Sequence, residues 1–304
     1  MRHVPVLLQE VIRELQIAPN RNYIDCTVGD GGHAFEILKL ASPNGKLLGI
    51  DADAESLFRA KHGLHTYEGR VTFVRSNFDH LDQIVAEHSF TNVHGILADF
   101  GWSSPQFVER GRGFSFTQEK DLLDMRYAGN LSNQKSAADI VNSYECDQLA
   151  LLFKKYGEEP LSKLIAIEIV TKRKKGYIET VGDLVEIILS VYRTKLKTDK
   201  PVPWIGGLHP ATKVFQALRM EVNDELGVIE RLLPQSVEIL VEGGRVAIIT
   251  FHSIEDRIVK HFFKEMERKG KGTIITKKPI IATVQEQKEN SRSSSAKLRI
   301  FQKK

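Results

Sequence analysis

Tyr23-Ile24-Asp25-Cys26-Thr27-Val28-Gly29-Asp30-Gly31-Gly32-His33-Ala34 is the stretch on which the fold turns. A short apolar run ends in an acid, a glycine-rich bend follows, and a helical pattern starts near Ala34. This is a strand, a tight turn and a helix, the opening of a βαβ unit. Gly29, Gly31 and Gly32 let the chain bend sharply and approach a ligand where a Cβ would clash. The helix start behind them offers unpaired N–H groups to a carboxylate or a phosphate.

The second strand, Lys46 to Ile50, runs into Asp51, an acid placed to accept hydrogen bonds from both ribose hydroxyls of an adenosine-containing ligand. Gly29, Gly31 and Ala34 also satisfy G-x-G-x-x-A, so a nicotinamide dinucleotide and a ligand-free turn both remain open at this point.

Further along, Val71 to Val74 and Val93 to Leu97 continue the strand and helix alternation, which stops after about Pro105. Apolar positions such as Leu161, Leu164, Ile165, Ile169, Leu184, Ile187, Ile188 and Val191 keep helical spacing instead. Residues 106–207 therefore read as an all-helical insertion. After the Pro- and Gly-rich exit at 200–207, Val214, Leu218, Val222, Leu226 and Ile229 predict one long amphipathic helix. The sheet resumes at Arg245 to Thr250, followed by a helix from about Ile254 to Lys269. Strands at Thr273 to Thr276 and Lys297 to Phe301 close it, across a long polar loop of the kind that is commonly functional. The expectation is an α/β chain with a Rossmann-like, mostly parallel sheet and one antiparallel strand near its edge. Residues 1–105 and 208–304 form the sheet domain and 106–207 the inserted one. Ligands of such sheets bind beyond the strand carboxyl ends.

Those ends carry the chemistry. Phe78 follows the third strand, where a ring can stack on adenine. Asp99 ends the fourth, facing the positive charge of a methionine-like sulfonium ligand. Gly101, Ser103 and Ser104 add acceptors that could orient an amino group, though a plain turn fits them too. After the fifth strand, Thr250-Phe-His-Ser-Ile-Glu-Asp-Arg257 reads as Ser253 capping a helix with Asp256, leaving His252 and Glu255 to face a target base. A serine hydrolase is excluded, since no Gly-x-Ser-x-Gly elbow exists.

Composition sets outer bounds. The 304 residues, 41% of them hydrophobic, support an ordinary buried core. No apolar run approaches a bilayer span and no signal-peptide pattern opens the chain, so a soluble, cytoplasmic protein is expected. Cys26 and Cys146 lack the spacing of a zinc site or a disulfide framework, and no metal is expected. The net charge of +4 is a mild cationic excess. Clusters at Lys172 to Lys175, at Arg193, Lys195, Lys197 and Lys200, at Lys277-Lys278 and between Arg292 and Arg299 could meet phosphates, although charge runs are usually solvated faces.

Longer words now converge: His3-Val-Pro-Val-Leu-Leu, Gly29 to His33, Asp99 to Gln106, Arg112-Gly-Phe-Ser-Phe116, Leu123-Asp-Met-Arg126, Phe215 to Arg219 with Val222 to Leu226, Phe251 to Arg257, and Ser295 to Arg299. Over nearly its whole length the chain resembles the MraW family of ribosomal RNA small-subunit methyltransferases. The resemblance implies a class I methyltransferase fold and S-adenosylmethionine as cofactor. It implies N4-methylation of a decoding-region cytidine in 16S ribosomal RNA, within the small subunit, by an enzyme that could be a homodimer. Matched by motif, cofactor contacts fall on Gly31, Gly32, His33, Asp51, Phe78, Asp99 and Gln106, to which the reading of the glycine bend adds Gly29. Catalytic candidates are Ser103, Ser104 and His252. Substrate candidates are Arg112, Arg126, Ser253, Glu255, Asp256, Arg257, Lys297 and Arg299. Asn290 to Ser295 lacks the family's proline and second arginine, and Tyr127 stands where a methionine is usual. Transfer from a sulfonium is an in-line displacement with a neutral leaving group, for which positioning is the main demand. A DNA amino-methyltransferase and a nicotinamide-dependent oxidoreductase are the alternatives.

Overall fold

The computed structural model describes residues 5–100, 111–127 and 134–304. The chain divides into two compact units, residues 1–102 with 226–304, and residues 103–225.

The first unit is built on an eight-stranded sheet. Its strands are β1 (Asn22–Asp25), β2 (Leu47–Asp51), β3 (Val71–Arg75), β4 (Val93–Asp99), β5 (Leu240–Thr250), β6 (Gly272–Ile274), β7 (Ile280–Ile281) and β8 (Lys297–Lys303). They lie in the order β3-β2-β1-β4-β5-β8-β6, with β7 also on β8. The five from β3 to β5 are parallel, and β8 runs antiparallel to both β5 and the short β6 and β7. Neighbouring residues enter opposite cores, as a period of two demands. Tyr23, Leu47, Leu97 and Ala247 face a cluster shared with α1 (Leu8–Leu15), α2 (Gly32–Leu40) and α3 (Ala54–Gly63). Ile24, Leu48, Ile96 and Val246 face one shared with α4 (Leu81–Glu87), α10 (Glu225–Ile239) and α11 (Ser253–Arg268). With both faces covered, strand interiors are continuously apolar, which is why they stood out as short hydrophobic runs.

The second unit is helical. It contains α5 (Ala137–Ser143), α6 (Cys146–Gly157), α7 (Ser162–Arg173), α8 (Val181–Leu196) and α9 (Thr212–Val222). Ser136 with Asp139 and Thr180 with Asp183 form capping boxes that start α5 and α8. The core joins Leu149, Phe153, Ile165, Ile169, Leu184 and Ile188 to Val214, Phe215 and Leu218. Gly157 is where α6 meets α9, and a Cβ there would fall 2.4 Å from the Lys213 carbonyl oxygen. Gly157→Ala is therefore expected to cost about 1 to 3 kcal/mol by forcing two backbones apart. A chemical-denaturation midpoint equal to wild type would show that the helices can separate freely.

Two sequence expectations change. The single helix expected across Val214 to Ile229 is two, because Asp224 takes a positive φ of 48°. Asn223 ends α9 and spends its side chain elsewhere: Nδ2 donates to the Met125 and Arg219 carbonyls, and Oδ1 accepts the Tyr127 N–H. The helical unit also runs on to Glu225 rather than ending at 207, since Val214, Phe215, Leu218 and Val222 are part of its core.

The polar loop near the end is structured. It holds β7, α12 (Val284–Glu289) and a 3-10 turn at Ser291–Ser295. Glu286 Oε1 accepts the Leu7 N–H at 2.7 Å, tying this segment to the start of α1.

Candidate cofactor site

Beyond β1 the chain turns through Gly29 (φ 51°) and Gly31 (φ 85°), both left-handed, and Gly31 is the residue that precedes α2. Side chains other than glycine rarely adopt that region at both positions. The first turn of α2, Gly32 to Ala34, has N–H groups without intrahelical acceptors, and such a helix start favours a carboxylate. Gly32 has a second role, because a Cβ there would lie 2.3 Å from Pro5 Cγ. His33 is buried and its ring Nε2 lies 3.0 Å from the Val6 carbonyl oxygen, so what it offers a ligand is main chain rather than imidazole.

Asp51, at the end of β2, is oriented by two backbone donors, Gly29 N–H to Oδ2 at 2.9 Å and Asp53 N–H to Oδ1 at 2.8 Å. Burial raises its pKa despite those two bonds. A half-buried carboxylate held from behind suits the hydroxyls of a sugar. Phe78 opens a 3-10 turn after β3 and is half-buried, with its ring stacked at 5.8 Å and 25° on Phe100, the residue after β4. Both rings are partly buried against the core shared with α4, α10 and α11. Asp99 ends β4, and its N–H donates to Thr27 Oγ1 at 2.8 Å. Thr27 N–H in turn donates to Asp25 Oδ1 at 3.1 Å. Three acids thus end three adjacent parallel strands, in the order Asp51, Asp25, Asp99.

The tail supplies a residue that sequence reasoning had grouped only with general phosphate-binding cations. The Arg292 guanidinium sits over the Phe251 ring at 6.0 Å and faces Asp99. Burial lowers its pKa, and the acid opposes that shift. No periodicity could have found it, because the 3-10 turn that carries it is placed by long-range contacts.

At the end of β5 the expected roles are reassigned. The residue capping α11 is His252, not Ser253, and the capping box is completed by Glu255, not Asp256. His252 Nδ1 accepts the Glu255 N–H at 3.3 Å, while Glu255 Oε2 accepts the N–H groups of Phe251 and His252 at 2.8 and 3.2 Å. His252 Nε2 lies 3.0 Å from Glu255 Oε1, off the hydrogen-bond line and with no aligned partner among the described residues. Glu255 is therefore engaged with the helix start instead of standing free for a base, and His252 is engaged there through Nδ1 alone. Asp256 and Arg299 form a bidentate pair, Nε to Oδ1 at 2.6 Å and Nη2 to Oδ2 at 3.0 Å. Their side chains are 13% and 7% exposed, too enclosed to meet an RNA. Lys297 is half-buried on β8 opposite Thr250, and Ser253 and Arg257 are exposed on α11.

Within the helical unit, Arg112 donates to the Arg126 and Tyr127 carbonyls, and Arg126 pairs with Asp124 at 2.7 and 2.8 Å. That pairing holds Asp124 below the usual carboxylate range despite partial burial. Both arginines, expected to touch substrate, shape a local loop. Gly101, Ser103, Ser104 and Gln106 lie outside the described residues.

The donor set fits a ligand with adenosine at one end and a charged amino acid at the other. A glycine bend and helix start suit a carboxylate, Asp51 a diol and Phe78 a flat ring, while buried acids favour positive charge. Among the described residues no helix is long and apolar enough to cross a membrane.

A family profile described as the MraW methylase family matches residues 1–304. Curated relatives named ribosomal RNA small subunit methyltransferase H align over 99% of the chain. The one from Clostridium botulinum is 45% identical, over 99% of its own length. That from Clostridioides difficile is 42% identical over 98% of its length, and that from Dictyoglomus thermophilum 42% over 97%.

Proposed function

The chain belongs to the MraW methylase family, and from that premise we propose that it transfers a methyl group from S-adenosylmethionine to the N4 amine of a decoding-region cytidine in 16S ribosomal RNA. The relatives' names place the reaction on small-subunit ribosomal RNA, and they cover this chain almost end to end. The observation that carries the cofactor assignment is the Gly29-to-Gly31 bend whose first N–H is held by Asp51. A dinucleotide would share that bend, but acids at three neighbouring strand ends suit a cationic ligand better than a second phosphate. The nicotinamide reading is accordingly not favoured, and the relatives' names weigh against the DNA one.

S-adenosylmethionine, when bound, supplies an electrophilic methyl on a positively charged sulfur. The protein's part is placement. The α2 start and the glycine bend hold the amino-acid carboxylate, Asp51 accepts from the ribose, and Phe78 packs against the base. Asp99 and Asp25 provide negative potential where positive charge must sit. Arg292 sits over the Phe251 ring, which follows the end of β5. A cytosine amine is a weak nucleophile, and fixing it in line contributes most of the acceleration. The target base must leave its stack to enter. Lys172, Lys174 and Lys175, with Lys195, Lys197 and Lys200, are exposed on the helical unit and serve phosphate contact.

The decisive experiment maps modified nucleosides by mass spectrometry in small-subunit RNA from cells with and without the protein. Loss of N4-methylcytidine from the decoding region, restored by the wild-type chain, is the expected result. An unchanged modification pattern would reject the assignment. Label transfer to bare RNA and to assembled subunits, run in parallel, identifies which one is recognised.

A further inference from the structure

Asp25 ends β1, the strand flanked by β2 and β4, and is only 1% exposed. Its Oδ1 takes the Thr27 N–H, whereas Oδ2 is buried with no hydrogen-bond partner among the described residues. Acids act on it from both sides, Asp99 on β4 and Asp51 on β2. Asp51 is in turn backed by Asp53 and by Asp30, which pairs with Arg59 at 2.8 Å. Asp99 faces the Arg292 guanidinium from the tail. Cys26, the residue after β1, is a thiol whose ionisation is opposed by burial first and then by Asp25. The His33 ring on α2 is turned to the Val6 carbonyl. Burial first, then the two flanking acids, push Asp25 up to about 7. An ionised carboxylate with an orphan oxygen is costly in such a place unless positive charge arrives.

We infer that Asp25 holds a proton in the cofactor-free site and releases it to solvent when a cationic ligand enters, so that this carboxyl favours the sulfonium donor over its demethylated product. This rests on the cofactor reading above. The step breaks the carboxyl O–H bond, the proton passes to buffer, and the carboxylate left behind offsets the incoming charge. The donor carries a sulfonium and an ammonium against one carboxylate. The product lacks the sulfonium and has no net charge, so it draws out the proton less strongly. In sign, the ionised form of Asp25 binds the donor better, and donor affinity must rise as pH passes upward through about 7. If coupling is complete, the gain between pH 6 and pH 8 is about tenfold.

Titration calorimetry of the purified protein at pH 7, with the donor and separately with the product, tests this in phosphate and in Tris, whose ionisation heats differ widely. For wild type and donor, the heats should differ between buffers by the release of about half a proton. A smaller release is expected with the product. Asp25→Asn keeps an oxygen for the Thr27 N–H but cannot ionise. Its heats should agree between buffers once proton uptake by the ligand's own amino group, the same for wild type and variant with a given ligand, is subtracted. Its preference for donor over product at pH 8 should fall at least about threefold. Buffer-independent heats in wild type would overturn the inference without touching the cofactor reading. So would an undiminished release in Asp25→Asn, which would move the proton to Asp51 or Asp99. Failure of folded protein to bind either ligand would overturn both.

Discussion

Arg299→Ala is expected to lower the free energy of unfolding by about 3 to 5 kcal/mol, because it strands the Asp256 carboxylate beneath β8. The two side chains meet through parallel hydrogen bonds and join the first turn of α11 to a strand on which β5, β6 and β7 all pair. The loss should come from the orphaned charge rather than from the missing attraction. Replacing both partners, Asp256→Leu with Arg299→Met, should therefore recover most of it. Urea midpoints of the two single variants and the double variant decide the matter. Wild-type stability in Arg299→Ala, accompanied by weakened RNA binding, would return the residue to the substrate surface where sequence motifs had put it.

Asp51→Ala should weaken S-adenosylmethionine binding by at least about a hundredfold. A hydrogen bond to a charged acceptor contributes about 1.5 to 3 kcal/mol, and the two ribose hydroxyls share this one carboxylate. Part of the loss will come from the protein itself, since Asp51 also anchors the Gly29 and Asp53 N–H groups. Asp51→Asn keeps one oxygen acceptor and should fall between alanine and wild type. Calorimetric affinity within twofold of wild type for the alanine variant would remove Asp51 from the sugar site.

What the sequence disclosed followed from local pattern. Strands buried on both faces are brief apolar runs. Their carboxyl ends are where polar residues reappear, so Asp25, Asp51 and Asp99 could be found by position. The glycine bend was equally plain, because Gly29 and Gly31 need a backbone region other residues avoid. Failures came where a side chain answered to a distant partner. Asn223 breaks a periodic helix to serve Met125 and Tyr127, and nothing within a helical turn of it announces this. Ser253 was the reasonable cap by residue type and spacing, and backbone geometry gave the position to His252 instead. Asp256 and Arg299 looked like two polar candidates for RNA; only their pairing across 43 positions shows that they neutralise one another. Arg292 was one cation in a basic tail until folding set it beside Asp99.

The order in which the sheet is assembled bears on biosynthesis. The sheet is extended beyond β4 by β5 and β8, which come after the helical unit in the chain, and β8 spans Lys297–Lys303. A nascent polypeptide emerging from the translating ribosome can finish the contiguous segment 103–225 while β1 to β4 still wait with one flank open. An exposed strand flank is a hazard for aggregation, and chaperone demand should concentrate on that interval.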